Sequence, residues 1–172
     1  MTDEISTERL SLRRFEAGDA ARVTACINDP RIYLMVGRIK AGQKEAQTME
    51  WIASHPLGAA GDTDHVRAVI ADGELVGAVG GHRRLISDPF ETGYWIAPDA
   101  WGQGYATEAT GALLGWLEET RDVRVTVSGH YEDNPASGRV LQKLGYLYAG
   151  RSSSFCEGRA EIVERRDMAR IA

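Results

Sequence analysis

Glu91-Thr-Gly-Tyr-Trp-Ile-Ala-Pro-Asp-Ala-Trp-Gly-Gln-Gly-Tyr-Ala-Thr-Glu-Ala109 is the stretch that decides the fold. Its first part, with Phe90, reads as a strand over 90–97, rich in aromatic and branched residues and stopped by Pro98. Its end opens a helix from about Tyr105 to Glu119, with Ala106, Ala109, Leu113, Trp116 and Leu117 on one face. Gly102 and Gly104 lie between the two. Glycines at a strand-to-helix turn let a ligand approach the backbone closely. The helix start adds unpaired N–H groups and the positive end of its dipole. The combination suits a pyrophosphate, although the same glycines would serve a plain tight turn equally well. A P-loop is excluded, because no Gly-Lys-Ser/Thr follows. A Rossmann fingerprint is disfavoured by Thr107 where a third glycine or alanine is needed, and by the antiparallel hairpin that precedes the turn.

That hairpin comes from a change of period upstream. Val66 to Ala71 and Leu75 to Gly80 read as strands joined by Asp72-Gly73, a type I′ signal. A turn at Ser87-Asp88-Pro89 leads into the quoted strand. Further upstream, 9–15 reads as a strand, and a helix capped by Asp19 runs to about Asn28 with Ala20, Val23 and Ile27 inward. A second helix, 43–54, has Ala46, Met49 and Ile52 or Ala53 inward and stops before Pro56; 56–64 reads as a surface loop. Downstream, 122–128 is a strand with Val123, Val125 and Val127 on one face. Asn134-Pro135 opens a helix with Val140, Leu141 and Leu144 inward, closed by Gly145. Strands 146–155 and 160–169 follow, joined at Glu157-Gly158. The order predicts an α+β domain over 1–172, with one parallel crossover at the glycine turn.

The chain has 172 residues and a formal net charge of −5. The length fits one core, and no apolar run approaches the roughly 20 residues that span a bilayer. The acidic opening Met1-Thr2-Asp3-Glu4 lacks the apolar stretch of a signal peptide, so a cytoplasmic protein is expected. There is no basic stripe for nucleic acid. An acidic surface tolerates a cationic acceptor such as an amine. Cys26 and Cys156 read as free thiols, and His55, His65, His82 and His130 sit singly, so no metal site is expected.

The quoted stretch, followed by Asn134-Pro-Ala-Ser137-Gly-Arg-Val-Leu-Gln-Lys143-Leu-Gly145-Tyr146, resembles the GCN5-related N-acetyltransferase (GNAT) superfamily. The likeness is nearest to its Rim-type branch, the ribosomal-protein N-terminal acetyltransferases. Leu10-Ser-Leu-Arg-Arg and Asn28-Asp-Pro also fit that branch, so the likeness covers nearly the whole chain. Trp101 stands where the superfamily usually has Arg or Gln, but Trp-Gly-x-Gly-Tyr-Ala is common in this branch. The resemblance implies a mixed, mostly antiparallel twisted sheet of about six or seven strands, about four helices, and a splay between the strands 90–97 and 122–128.

The resemblance also implies acetyl-CoA as acyl donor and no metal. Gly102, Gln103, Gly104, Tyr105, Ala106 and Thr107 would hold its pyrophosphate, and Trp95, Ile96 and Ala97 would run beside the pantetheine. Asn134 would contact CoA while capping its helix, and Lys143 belongs to the same motif as a CoA-binding residue. Glu91 stands where many members place a base acting through water; a carboxylate in a partly closed cleft is better suited to that task. The tyrosine acid of many relatives is absent, because its position is Leu141. Ser137 is the replacement that the Rim branch suggests, with Tyr146 and Tyr148 as substitutes that nothing selects.

The acceptor would sit between 31–52 (Arg31, Tyr33, Met35, Trp51) and the final hairpin 150–160. Near neutral pH roughly 10–20% of an α-amine is neutral, against well below 0.1% of a lysine amine, so an N-terminal amine suits a modest base. Small amines such as polyamines or aminoglycosides, and a CoA-binding module without catalysis, stay open. Homodimers are common among such proteins, and the sequence marks no interface.

Overall fold

The computed structural model describes residues 4–172, so Met1-Thr2-Asp3 of the acidic opening lies outside the described residues. In chain order come β1 (Ile5–Ser6), β2 (Leu10–Arg13), α1 (Ala20–Ile27), α2 (Pro30–Tyr33) and α3 (Glu45–Ala60). Then follow β3 (Asp64–Ala71), β4 (Glu74–His82), β5 (Phe90–Ile96) and α4 (Tyr105–Arg121). The chain ends with β6 (Val125–Tyr131), α5 (Pro135–Lys143), β7 (Leu147–Cys156) and β8 (Glu161–Ile171). The strands form one sheet in the order β1-β2-β3-β4-β5-β6-β8-β7. Every neighbouring pair is antiparallel except β5 and β6.

The α+β class and the mostly antiparallel sheet are as expected. The described residues hold eight strands and five α-helices, one more of each than the upper expectation. The additional strand is the two-residue β1, too short to show a period. The additional helix is α2, where Pro30 takes the first helical position and the Asp29 carboxylate accepts the Arg31 N–H at 2.8 Å. Pro30 therefore starts a helix as well as following one.

Three local expectations change. Asp19 does not cap α1 through its side chain. Its carboxylate takes both Arg13 guanidinium nitrogens at 2.8 Å and the Glu16 N–H at 2.8 Å. Second, α3 runs through Pro56 to Ala60, so most of the expected loop is helix. Proline removes one N–H but does not end a helix whose last turn is packed; Gly58 sits so close to β3 that a Cβ there would meet the Asp64 Cβ at 2.4 Å. Third, α3 is rotated from the expected face. Ala46, Met49 and Ala53 are exposed, whereas Thr48 and Ile52 are buried. Thr48 is tolerated inside because the Thr24 hydroxyl donates to it at 2.7 Å.

The sheet carries a core on each face. Helices α1 and α3 cover the front with Val23, Ile27, Ile52, Val66, Leu75 and Trp95. Helix α4 covers the back, where Leu113 and Leu117 are fully buried with Leu12, Val69 and Phe90. A fully buried leucine contributes roughly 2 kcal/mol. Asp72 and Gly73 take φ of 49° and 81°, the left-handed pair that the expected hairpin requires. In β6 the valines are not the buried set: Val125 is exposed, and Thr126, Ser128 and His130 are buried instead. This polar row faces the place where β5 and β6 part.

Candidate active site

Gly102 and Gly104 have φ of 80° and 81°, left-handed angles that glycine reaches without strain. They turn the chain from β5 into α4 with no side chain capping the helix. The first helical bond in this turn runs from the Glu108 N–H to the Gly104 carbonyl at 3.1 Å. The N–H groups of Gln103, Gly104, Tyr105, Ala106 and Thr107 have no backbone acceptor among the described residues. Five successive donors at the positive end of a 17-residue helix make an anion cradle.

Arg9 props this cradle from behind. Its Nη1 donates to the Gln103 carbonyl at 2.9 Å, and its Nε and Nη2 hold Glu108 at 2.8 and 2.5 Å. Its guanidinium lies 5.0 Å from the Tyr105 ring centre. Thr7 adds a 2.6 Å bond to Glu108. The Trp101 indole N–H donates to the Ile96 carbonyl at 2.6 Å, which pins the turn to the end of β5.

The splay expected between the central strands is present. Strands β5 and β6 pair only at Phe90↔Thr126 and Glu91↔Val127. Just beyond, the Ser128 hydroxyl donates to the Thr92 carbonyl at 2.8 Å, which replaces a ladder bond with a side chain. Strand alternation then turns the backbone groups of Thr92, Tyr94 and Ile96 into the gap. Ala97 donates to Val76 at 2.8 Å, so Ala97, and with it Trp95, faces β4. Of the three residues expected beside the pantetheine, only Ile96 turns its backbone to the gap, where its carbonyl already accepts the Trp101 indole N–H and its own N–H is the group left to offer. Trp95 contributes a buried ring to the front core. The residue that the sequence reading missed is Tyr94, although counting by two from Ile96 would have found it.

Asn134 caps α5 as expected, accepting the Ser137 N–H at 3.3 Å. Ser137, in the first turn, has its hydroxyl 2.8 Å from the Tyr94 hydroxyl. The Tyr94 hydroxyl also donates to the Ser137 carbonyl at 3.0 Å. Burial pushes the Tyr94 phenol up to about 12, so it stays protonated. Lys143 is exposed at the other end of α5, roughly 13–14 Å along the axis from Asn134. Leu141 is fully buried. Tyr146 is occupied in a buried chain, 2.9 Å from Thr92 and 2.8 Å from Thr126. The Tyr148 hydroxyl lies 3.2 Å from His130 Nε2.

Glu91 lies on the front face, with Gly93 and Trp95. Gly93 has open space where a side chain would be. Glu91 is not in a closing cleft; its side chain is 43% exposed and its Oε1 takes Arg165 Nη2 at 2.5 Å. Arg165 reaches it across β6 by lying over Gly129, where a Cβ would come within 2.2 Å of its Nε. Asp167 continues the row, 3.3 Å from Arg165 Nε and 2.9 Å from the Ser152 hydroxyl.

A groove of about 450 Å³ opens between α2 and the β7–β8 hairpin, lined by Tyr33, Leu34, Met35, Asp133, Arg159 and Glu161. The expected acceptor walls therefore meet here, but not all their residues do. Trp51 packs edge-on against both Phe15 and His55 at the front core, and Arg31 pairs with Asp29 and lies over Trp101. Arg159 is the residue missed: it binds the Leu34 carbonyl at 2.6 Å and Asp133 at 2.8 Å, and its guanidinium lies over the Tyr131 ring. Cys26 and Cys156 are buried free thiols. Among the described residues no group of three or more His, Cys, Asp or Glu could hold a metal, and no helix is long and apolar enough to cross a membrane.

Comparison with known proteins agrees with this fold. The chain is 30% identical over 153 residues to the uncharacterised protein YkkB of Bacillus subtilis strain 168, covering 85% of this chain and 86% of that one. The fold matches a GNAT-family acetyltransferase from Bacillus anthracis with a TM-score of 0.83 and 24% identity, over 98% of each chain. It also matches RimL, a ribosomal L7/L12 alpha-N-protein acetyltransferase in complex with coenzyme A, with a TM-score of 0.87 and 18% identity, over 98% of each. With residues 9–147 matching the model of the acetyltransferase (GNAT) domain, the chain belongs to that family.

Proposed function

We propose that this protein moves an acetyl group from acetyl-CoA to an amine, with a peptide N-terminus as the preferred acceptor, in the cytoplasm. The observation that carries the reading is the run of five unpartnered N–H groups, 103–107, opening beside the gap between β5 and β6. The cradle binds the pyrophosphate, held in shape by the Arg9 bond to the Gln103 carbonyl behind it. The pantetheine then runs along the free edge of β5, pairing with Ile96 and Tyr94. This brings its thioester toward Ser137 and the front-face floor at Gly93. RimL, which shares the fold, was seen with coenzyme A and is named for acetylating the α-amine of a ribosomal protein. In the acceptor groove Asp133 is ion-paired with Arg159, which leaves Glu161 as the carboxylate that favours a cationic chain.

The amine must lose a proton to attack, and the CoA thiolate must be stabilised as it leaves. In this reading Glu91 takes the first task through water, supported by an Oε2 free of protein partners among the described residues. Ser137 takes the second. Asn134 orients the helix start that carries it. The test is CoA-thiol release by wild type and Glu91→Gln with a panel of peptides and small amines, with acetyl-CoA binding measured separately. A rate loss of about 100-fold in Glu91→Gln supports the assignment. Binding without release for every amine would instead identify a non-catalytic CoA module. Absence of binding would remove both readings.

A further inference from the structure

We propose that Tyr94 is a positioning residue for thiolate departure: its hydroxyl donates to Ser137 Oγ and so frees the serine proton for the sulfur. The inference rests on the proposed acetyl transfer and adds a residue to it.

The geometry is specific. The Tyr94 hydroxyl has one proton and two acceptors on the same residue, the Ser137 carbonyl at 3.0 Å and Oγ at 2.8 Å. When the phenol donates to the carbonyl, the serine proton turns to the phenol oxygen and is lost to the sulfur. When the phenol donates to Oγ, the serine proton is released toward the gap. Negative charge growing on sulfur selects the second arrangement, because successive hydrogen bonds polarise one another in a buried site. Tyr94 must remain protonated for this to work, and its burial secures that. Tyr146 is the one titratable neighbour acting on it among the described residues, and its hydroxyl is bound to Thr92 and Thr126. The ring is held between the back core and the small cluster of Leu114, Leu141 and Met168.

In the transfer step the amine nitrogen bonds to the acyl carbon and the carbon–sulfur bond breaks. The electron pair stays on sulfur, which accepts the Ser137 Oγ hydrogen bond as a thiolate and takes its proton from solvent, while the amine proton leaves through water toward Glu91. Ser137 and Tyr94 keep their own protons throughout, because a serine hydroxyl is too weak an acid to protonate a thiolate. Tyr94 thus makes Ser137 a stronger donor without acting as an acid.

The experiment reads the thiol of bound CoA, so it needs no acceptor. The thiolate absorbance of CoA bound to wild type, Tyr94→Phe, Ser137→Ala and the double variant is titrated against pH. The expected result is a bound-thiol midpoint about one unit below that of free CoA in wild type. Either single variant moves it back up, and the double variant moves it no further than Ser137→Ala. In turnover, Tyr94→Phe lowers kcat about tenfold and leaves the KM for acetyl-CoA unchanged. A Tyr94→Phe midpoint equal to wild type overturns the proposal, as does a double variant whose shift is the sum of the singles. Either of those results leaves CoA binding, and the function built on it, in place. Failure of wild type to bind CoA overturns both.

Discussion

Replacing Tyr146 by Phe removes one oxygen from the base of the splay. That oxygen links Thr92 of β5 to Thr126 of β6 at 2.9 and 2.8 Å, and the three residues are 3%, 2% and 1% exposed for Thr92, Thr126 and Tyr146. Two buried hydrogen bonds are lost, at about 1 kcal/mol each. Two threonine hydroxyls are also left dry; their partial rebonding to nearby carbonyls limits the further cost, giving a total of about 2–3 kcal/mol. The ring volume is unchanged, so no cavity adds to this. For a chain of this size the melting temperature falls by roughly 5–10 °C. Urea unfolding should show a lower midpoint at unchanged slope, because the folded surface is the same. CoA affinity should fall too, since the chain fixes the distance between the strands that flank the gap. A loss below about 0.5 kcal/mol would refute the reasoning, because it would show that this hydroxyl does not tie β5 to β6.

Other perturbations follow from the same contacts. His55 lies between Phe15 and Trp51 with Nε2 buried and unpartnered, and burial lowers its pKa and that of His65. As pH falls through the unfolded value of about 6.5, the unfolded chain takes up protons that the folded one refuses, so stability drops. His55→Phe should raise stability by about 1 kcal/mol near neutrality and flatten that acid limb in a pH series of urea midpoints; an unchanged limb counts against it. Gly158→Ala would put a Cβ 2.1 Å from the Tyr33 carbonyl oxygen and lift the hairpin from Gly37 and Leu34. It should cost about 1–3 kcal/mol and raise the KM for the acceptor but not for acetyl-CoA; equal effects on both would be contrary. Arg9→Gln should weaken CoA binding severalfold in calorimetry while costing under about 1 kcal/mol, because its pair with Glu108 is partly exposed.

The glycine turn and the Asn134 cap were legible because their meaning is local: φ demands and orphan N–H groups follow from neighbours in sequence. The same holds for the Asp72-Gly73 hairpin, whose angles the residue types alone require. The inward faces of α1, α4 and α5 were legible from their apolar period. Helix α3 was misread because its buried face carries Thr48 and His55, which a hydrophobic pattern does not count. Strand β6 is the stronger case. Its buried residues are Thr126, Ser128 and His130, acceptable inside because Tyr146, Thr92 and Tyr148 supply partners from other elements.

Sequence alone therefore determined the glycine turn with its orphan N–H groups and the Asn134 helix cap, and with them the family. Tertiary structure decided what those elements act upon. Tyr94 is 43 residues from Ser137, Glu91 is 74 from Arg165, and Arg159 is 125 from Leu34. Each pairing exists because β6 parts from β5 and β8 inserts between β6 and β7. No local period encodes such a juxtaposition, because it is fixed by how the sheet is assembled and not by the residues that flank each partner.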